Sequence, residues 1–442
     1  MAADTQPYQE PGADEVAEHD LPALAAAVRA EVALRGVGFR SADGQVEFHI
    51  DPVPRVIAAQ EWAGLERGLG QRVRALNAFV ADVYGERRIF ADGAVPGRLL
   101  EAANHEPAMR GVTPPGGVWI GIAGLDLVRD PEGRFLVLED NAMTPSGMAY
   151  AAAARGAVAA HVDGSPVPLD GLPELLAGTL ENARPGGTGA GLAVLLTDGP
   201  RNSAHWEHAW LARTLGIPLV TPSSLTCAGD GLTLHGEPIA VIYRRTDADR
   251  LDTRVGELLA PAVRSGTVGV INGFGTGVAD DKLAHAYVET MVEYYLGERP
   301  LLPSVPTLDL GVPEVLEQAL DTLDELVIKP RDGHGGHGVV ICAQAGPHEL
   351  DALRRSLRAA PGDHIAQPLV ALSTHATVVD GRLEERHVDL RPFVFLHSPT
   401  DARVLPGGLT RVALEAGAMV VNSTRNGGAK DTWVLEGSGG AP

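Results

Sequence analysis

Lysine is almost missing from this chain. Of its 36 basic residues only Lys282, Lys329 and Lys430 are lysines. Wherever any cation would serve, the chain uses arginine, so these three mark places that call for a compact ammonium rather than a planar guanidinium. Cysteine is nearly absent as well. Cys227 and Cys342, far apart, give neither a disulfide framework nor a zinc pattern, and both are expected to be buried small apolar residues in a reducing compartment. Basic charge is scarce against 57 acidic residues, a formal net charge of -21, which disfavours nucleic acid as a partner while leaving room for a local basic cleft. No apolar run reaches the roughly 20 residues that cross a bilayer. The N-terminus lacks the basic-then-apolar order of a signal peptide, so a cytoplasmic protein with no membrane partner is expected. With 45% hydrophobic residues in 442, the chain can bury a large core divided among two or three domains.

Residues 1–20 are acidic, contain Pro7, Pro11 and Gly12, and show no apolar period; they read as a disordered tail. Helical spacing over 21–34 stops at Gly36, residues 45–57 alternate as strands, and 58–90 return to helix with Trp62, Leu65, Leu69, Val73, Leu76, Phe79 and Val80 on one stripe. From Val118 to Asn141 the pattern is a hairpin, turned by Arg129-Asp130-Pro131-Glu132-Gly133 and ending in Glu139-Asp140-Asn141. Alternation puts Glu139 and Asn141 on one face, with Asp126 on the partner strand near the same level. Two carboxylates and an amide oxygen suit magnesium held together with substrate phosphates; solvated acids at a strand end are the plain alternative.

Residues 161–190, rich in Pro, Gly and Asp with a helix near 172–182, read as a connecting segment. Short apolar strands at 192–197, 217–220, 239–243 and 268–271, the first two joined by a helical pattern, predict a parallel α/β domain over 191–300. Asn202, Ser203 and His205 lie at the carboxyl end of its first strand, where open sheets bind ligands. Arg244 and Arg245 follow the third strand on the same rim. They suit a carboxylate or phosphate substrate, or a surface ion pair. Asn272-Gly273-Phe274-Gly275-Thr276-Gly277 misses the dinucleotide fingerprint because its glycines alternate.

In the last region Val327-Ile328-Lys329-Pro330 runs into Arg331-Asp332-Gly333-His334-Gly335-Gly336-His337-Gly338 before a second apolar run. Strand, glycine loop and strand can fold backbone N–H groups over a triphosphate while Lys329 neutralises charge; a glycine hairpin with a surface lysine is the alternative. No internal repeat is evident.

Lysine-proline before a glycine loop, the apolar Ile365-Ala366-Gln367-Pro368-Leu369, Arg391 on a later strand, and Asp126 with Glu139-x-Asn141 together resemble the ATP-grasp superfamily. The metal-type strand precedes the lysine loop, so the order resembles the circularly permuted ATP-grasp proteins related to the synthetase domain of glutathionylspermidine synthase. Gln71-Arg72, Pro145-Ser146-Gly147, Tyr243-Arg244-Arg245, Asp280-Asp281-Lys282, Arg411 and Asn426 to Trp433 carry the likeness further.

The resemblance implies an α/β (α+β) fold: a permuted ATP-grasp with an inserted parallel-sheet, pre-ATP-grasp-like domain. Residues 21–160 would form N-terminal helices and the metal-site half, and 301–442 the lysine and glycine-loop half. It further implies Lys282, Lys329, Gly333, Gly335, Gly336 and Gly338 on the ATP phosphates, the Gln367 to Leu369 main chain on adenine, and Asp126, Glu139 and Asn141 on Mg2+. Arg391 or Arg411 would meet the transferred phosphoryl group or the acyl phosphate, and Lys430 would join them as a catalytic residue. The implied activity is ADP-forming carboxylate–amine ligation through an acyl phosphate, on small-molecule or peptide substrates. A non-catalytic ATP-binding subunit and a phosphotransferase remain alternatives, and an oligomer or partner protein stays open. Met143 stands where the group is expected to carry arginine, so a phosphate or substrate-carboxylate contact is either missing or supplied by Arg155 or Arg110.

Overall fold

The computed structural model describes residues 6–41, 44–101, 104–186, 190–246, 250–332, 338–418 and 427–436. Among them no helix is long and apolar enough to cross a membrane. Helices stand where the apolar period placed them. Leu21–Leu34 opens with the Asp20 side chain accepting from Ala23 N, and Ala59–Tyr84 buries the whole stripe from Trp62 to Val80 before Gly85 ends it. Gly68 on that helix is a contact rather than a turn residue: a Cβ there would stand 2.8 Å from Leu302 Cβ.

Besides a two-stranded ribbon of Gly38–Ser41 and Gly44–Glu47, three larger sheets organise the described residues. The largest has nine strands. At its centre Ile122–Arg129 lies antiparallel beside Arg382–Arg391. Phe135–Asn141 returns along Ile122–Arg129, and Leu409–Ala413, Gly427–Val434 and Ile50–Ile57 extend the other side. Strands from near both ends of the sequence therefore build one sheet. The second sheet holds Leu219–Val220, Leu192–Thr197, Glu237–Arg245 and Gly269–Ile271 in parallel, as the short apolar runs predict.

The third sheet is small and antiparallel: Leu308–Asp309, His364–Pro368, Leu326–Pro330 and Val340–Ile341. Pro313–Asp321 and Pro347–Ala359 cover one face, where Leu316, Ile328, Cys342, Leu357 and Ala366 form a core of their own. Its other face carries Lys329 and Gln367 toward the large sheet. Within the region expected as one lysine-loop half, the strands described from Thr374 onward belong to the large sheet.

Two expectations need correction. Residues 6–20 are docked rather than disordered: Glu10 N donates to Thr374 O at 2.9 Å, Thr374 N to Tyr8 O at 2.9 Å, and the Glu10 side chain is buried against Arg55. The Glu10 ion pair, the backbone bonds to Thr374 and one buried apolar side chain, Val16, tie them down without an apolar period. Cys227, on a short strand of the second sheet, is exposed, while Cys342 is buried.

Candidate functional site

The hairpin places its acids through one irregularity. Asp126 pairs with Glu139 but Leu127 pairs with Val137, so Leu138 is an extra residue in the acid strand. A bulge of this kind shifts the alternation by one and re-aims the side chains beyond it. Glu139 and Asn141 consequently share a face with Asp126, and Asp140 turns to the other side. There Asp140 is buried, accepting from Arg72 at 2.6 and 2.8 Å and from His285 Nδ1 at 2.7 Å. Burial would raise the Asp140 carboxyl, but the Arg72 guanidinium and the His285 contact outweigh it and hold it well below the carboxylate range.

Across from the acid strand stand two of the three lysines. A cleft runs between the large and small sheets, its wall including Leu138, Glu139, Lys282, His285, Lys329 and Gln367. Lys282 Nζ lies 2.9 Å from Glu139 Oε1. Burial pushes the Lys329 ammonium down, Glu139 pulls it back, Lys282 opposes, and the balance leaves it at about 8. The other acids on the wall are engaged elsewhere, Asp140 by Arg72 and His285, Asp280 by the Ala142 and Met143 amides and Asp281 by Arg331, so two ammonium groups against the half-exposed Glu139 leave a cleft that can accept a polyanion.

Asp280-Asp281-Lys282 works as a three-way clamp. Asp280 receives the Ala142 and Met143 amides just past the acid strand. Asp281 caps Leu283 N and pairs with Arg331 at 2.5 Å, immediately after the lysine strand. Lys282 takes Glu139. The sequence flagged only the lysine of these three, because the acids act by holding backbone and arginine from segments far away in the chain.

Along the same face of the large sheet Asp126 accepts both nitrogens of Arg391, at 2.6 and 2.8 Å, and Arg411 at 2.9 Å. Arg411 also pairs with Asp389 at 2.5 Å, its direct cross-strand neighbour. Burial would raise Asp126, yet Arg391 and Arg411 together hold it at about 2. Gly124 leaves room for this row: a Cβ would stand 2.9 Å from Pro145 Cβ and 3.3 Å from Arg391 Cδ. Glu139 and the amide oxygen of Asn141, on one face of the acid strand, fit a magnesium ion that also takes phosphate oxygens, since such sites need one or two carboxylates only. Asp126 fits less well because its charge already meets two arginines.

Lys430 does not join this set. It pairs with Thr410, the neighbour of Arg411, and so points to the opposite face of the sheet. Its ammonium is fully buried, ion-paired with Asp51 and donating to Ala376 O at 2.9 Å. Lys430→Gln is expected to cost about 3–5 kcal/mol of stability, the usual result of stranding one partner of a buried pair, with the nucleotide affinity of the folded protein unchanged. Denaturant titration beside binding calorimetry checks both halves.

The residues suggested for substrate are spread along the second sheet. Arg244 is buried with its guanidinium over the Phe274 ring, 4.9 Å to the centroid, and donates to Asn272 O. Arg245 donates to Pro145 O at 2.6 Å and pairs with Glu207 at 3.2 Å, bracing the Pro145-Ser146-Gly147 turn. Neither is a surface ion pair. Asn202 is buried and accepts from Ala204 N, Ser203 is exposed, and His205 opens the helix His205–Leu215.

Gly333, Gly335 and Gly336 lie outside the described residues, and Gly338 has φ +74 against Pro330. Gln367 is on the cleft wall, but the Leu369 amide is taken by Glu325 O at 3.0 Å, so adenine cannot use it. Neither Arg155 nor Arg110 is placed to replace the arginine expected at Met143. Arg155 is committed to Asp431 at 2.8 Å and to Thr432 O, and Arg110 is exposed.

A family model described as circularly permuted ATP-grasp type 2 matches residues 54–413. An uncharacterised protein of Mycobacterium tuberculosis is 42% identical over 419 residues, covering 91% of this chain and 76% of that one. A Synechocystis protein, also uncharacterised, is 42% identical over 426 residues, with 91% and 88% covered. A Frankia alni protein provisionally named a glutamate–cysteine ligase is 45% identical over 427 residues, covering 92% of this chain but 49% of its own length; this chain spans about half of it. Among solved structures, a glutathione synthetase-like effector from Globodera pallida superposes with a TM-score of 0.65 at 11% identity, covering 97% of this chain and 100% of that one, a likeness of fold alone. Glycine-loop strand, rotated acid strand and family match agree: the chain belongs to the circularly permuted ATP-grasp type 2 family.

Proposed function

We propose that this protein is an ATP-dependent ligase that joins a carboxylate to an amine through an acyl phosphate. The observation that carries the reading is the pair Lys329 and Lys282 ranged against Glu139 in the cleft between two sheets. Family membership supports a ligase in the broad sense. The provisional name of the Frankia relative supports amino-acid-like substrates, though it belongs to a protein twice as long.

In this reading Lys329 and Lys282 hold the nucleotide phosphates, and Glu139 with Asn141 hold magnesium, which supplies further neutralisation of phosphate charge when bound. A substrate carboxylate oxygen attacks the γ-phosphorus, and the bond to the β–γ bridging oxygen breaks to release ADP. The amine nitrogen then attacks the acyl carbon, phosphate leaves with the C–O bond pair, and the amine loses a proton. Arg391 and Arg411, fixed by Asp126 and Asp389, lie along the same face to meet the transferred phosphoryl group. Such chemistry asks for positioning and charge neutralisation more than for a side-chain nucleophile.

ADP release that depends on both a carboxylate and an amine, with a hydroxamate formed when hydroxylamine replaces the amine, is the expected result. A phosphorylated acceptor without hydroxamate would mean a phosphotransferase. Met143 favours the second reading, a nucleotide-binding subunit without turnover, for which ATP binds but no ADP appears with any substrate pair.

Binding should also depend on pH through Lys329. Its free-protein value of about 8 rises beside phosphate oxygens, because an anion favours the ammonium. Nucleotide binding therefore takes up protons near and above pH 8, and affinity falls as pH climbs through that range. Calorimetry in buffers of different ionisation heat measures the uptake; its absence at about pH 8.5 would separate Lys329 from the phosphates.

A further inference from the structure

The glycine-rich loop that misses the dinucleotide fingerprint begins with Asn272, just past the strand Gly269–Ile271, and its side chain reaches the acid hairpin. Asn272 is buried with φ +26, a backbone that asparagine tolerates better than most residues. Its amide exchanges two hydrogen bonds with Ile122: the Ile122 amide donates to Oδ1 at 3.0 Å, and Nδ2 donates to Ile122 O at 2.7 Å. That is the pattern of a paired antiparallel residue, made here by a side chain. The hairpin ladder ends with Gly124 opposite Asn141, and the same register would next set Met143 opposite Ile122. Asn272 takes that place. Nδ2 also donates to Ala142 O at 2.7 Å and to Met143 O at 3.1 Å, while the amides of the same two residues go to Asp280.

Every polar backbone group of Ala142 and Met143 is thus taken by a side chain of the loop rather than by a neighbouring strand. We propose, on the reading of the cleft as a site for ATP and magnesium, that Asn272 is a positioning residue for the metal: its amide parts the acid strand from its partner immediately after Asn141 and so sets where Asn141 presents its oxygen. Without that amide the ladder is free to run on to Met143 and Ile122, carrying Asn141 with it. Partners that orient a ligand without touching the metal govern metal affinity in this way. The support behind Asn272 is firm. Its carbonyl accepts from Arg244 Nε at 3.3 Å, and that guanidinium lies over the Phe274 ring. The metal strand is therefore anchored to the parallel sheet, whereas Lys329 stands on the small sheet, so metal and phosphate binding are separable.

The experiment is calorimetry of ATP with magnesium and again with EDTA, on wild type, Asn272→Gly and Asn272→Asp. Glycine keeps the backbone angle and deletes the amide. Aspartate keeps the shape and the bond from the Ile122 amide but turns an acceptor toward three carbonyls. In EDTA both variants should bind ATP as wild type does, because Lys329 and Lys282 answer the phosphates; that arm also shows that the variants are folded. With magnesium each should lose roughly 10-fold of the affinity that the metal adds, the lower end of what such outer partners cost, and aspartate should lose more than glycine. Equal losses with and without magnesium would make Asn272 a structural prop and overturn the inference, as would variants that keep the full contribution of the metal. Wild type that binds ATP equally in both conditions would overturn the inference while leaving the two-lysine phosphate site standing. Failure of wild type to bind ATP in either condition would overturn the ligase reading as well.

Discussion

Lys329→Met is expected to abolish substrate-dependent ADP release, with a loss of at least ~10³-fold, while the folded state survives. The size follows from where the ammonium stands. It is held near 8 by burial against the attraction of Glu139, so the fold already keeps a cation in a place where water cannot solvate it fully. That arrangement is favourable only when an anion arrives, and an enzyme that moves a phosphoryl group draws most of its rate from such prepositioned charge. Stability should change little or rise, since removing a desolvated charge relieves a cost. Lys329→Arg should not rescue turnover, because a forked guanidinium is longer and planar and cannot replace a compact ammonium at this place. Glu139→Ala should lose turnover to a similar degree. Retention of wild-type ADP release by either variant, measured on protein with an unchanged unfolding transition, would remove this cleft from the chemistry.

How much of the site could be read beforehand depends on the kind of signal. Lysine scarcity pointed to Lys282 and Lys329, and it pointed equally to Lys430, which proved to be a buried counter-ion to Asp51. The difference is one position in register: Lys430 opposes Thr410 rather than Arg411, and a sequence does not state its own pairing. Parity along a strand was legible within the hairpin because Asp126 and Glu139 are joined by a short turn. Asp140 was not, since its partners Arg72 and His285 lie 68 and 145 residues away and the bulge at Leu138 decides which face it takes. The fold classes of the segments were clear from apolar period alone, including the parallel strands of the second sheet. What period cannot reveal is attachment by charge, which is why the N-terminal segment read as a tail.

That segment supplies the second large effect. Glu10→Gln is expected to destabilise the protein by about 3–5 kcal/mol near neutral pH, although it lies in a stretch with no apolar pattern. Glu10 accepts from Arg55 at 2.5 and 2.7 Å and from Ser373 at 2.6 Å, and Arg129 stands 3.3 Å away. All four side chains are buried or nearly so. Neutralising the one carboxylate leaves the buried Arg55 guanidinium without its counter-ion, while Arg129 keeps Glu61 at 2.6 and 3.0 Å, and a buried pair broken on one side costs that much. Burial alone would raise the Glu10 carboxyl, but Arg55 and then Arg129 reverse the sign and bring it from 4.5 to about 2. A depressed carboxylate contributes its stability above the unfolded value and loses it as pH falls through the folded one. The gap between wild type and Glu10→Gln should therefore be full above about pH 4.5 and close toward about pH 2, which urea titrations at several pH values will show. The consequence reaches the cleft. Arg129 ends the strand that carries Asp126 and packs over the Phe135 ring, 3.8 Å to the centroid, at the start of the strand that carries Glu139. A free tail would leave stability and turnover untouched by the substitution; a docked one ties both to a single acid at the start of the chain.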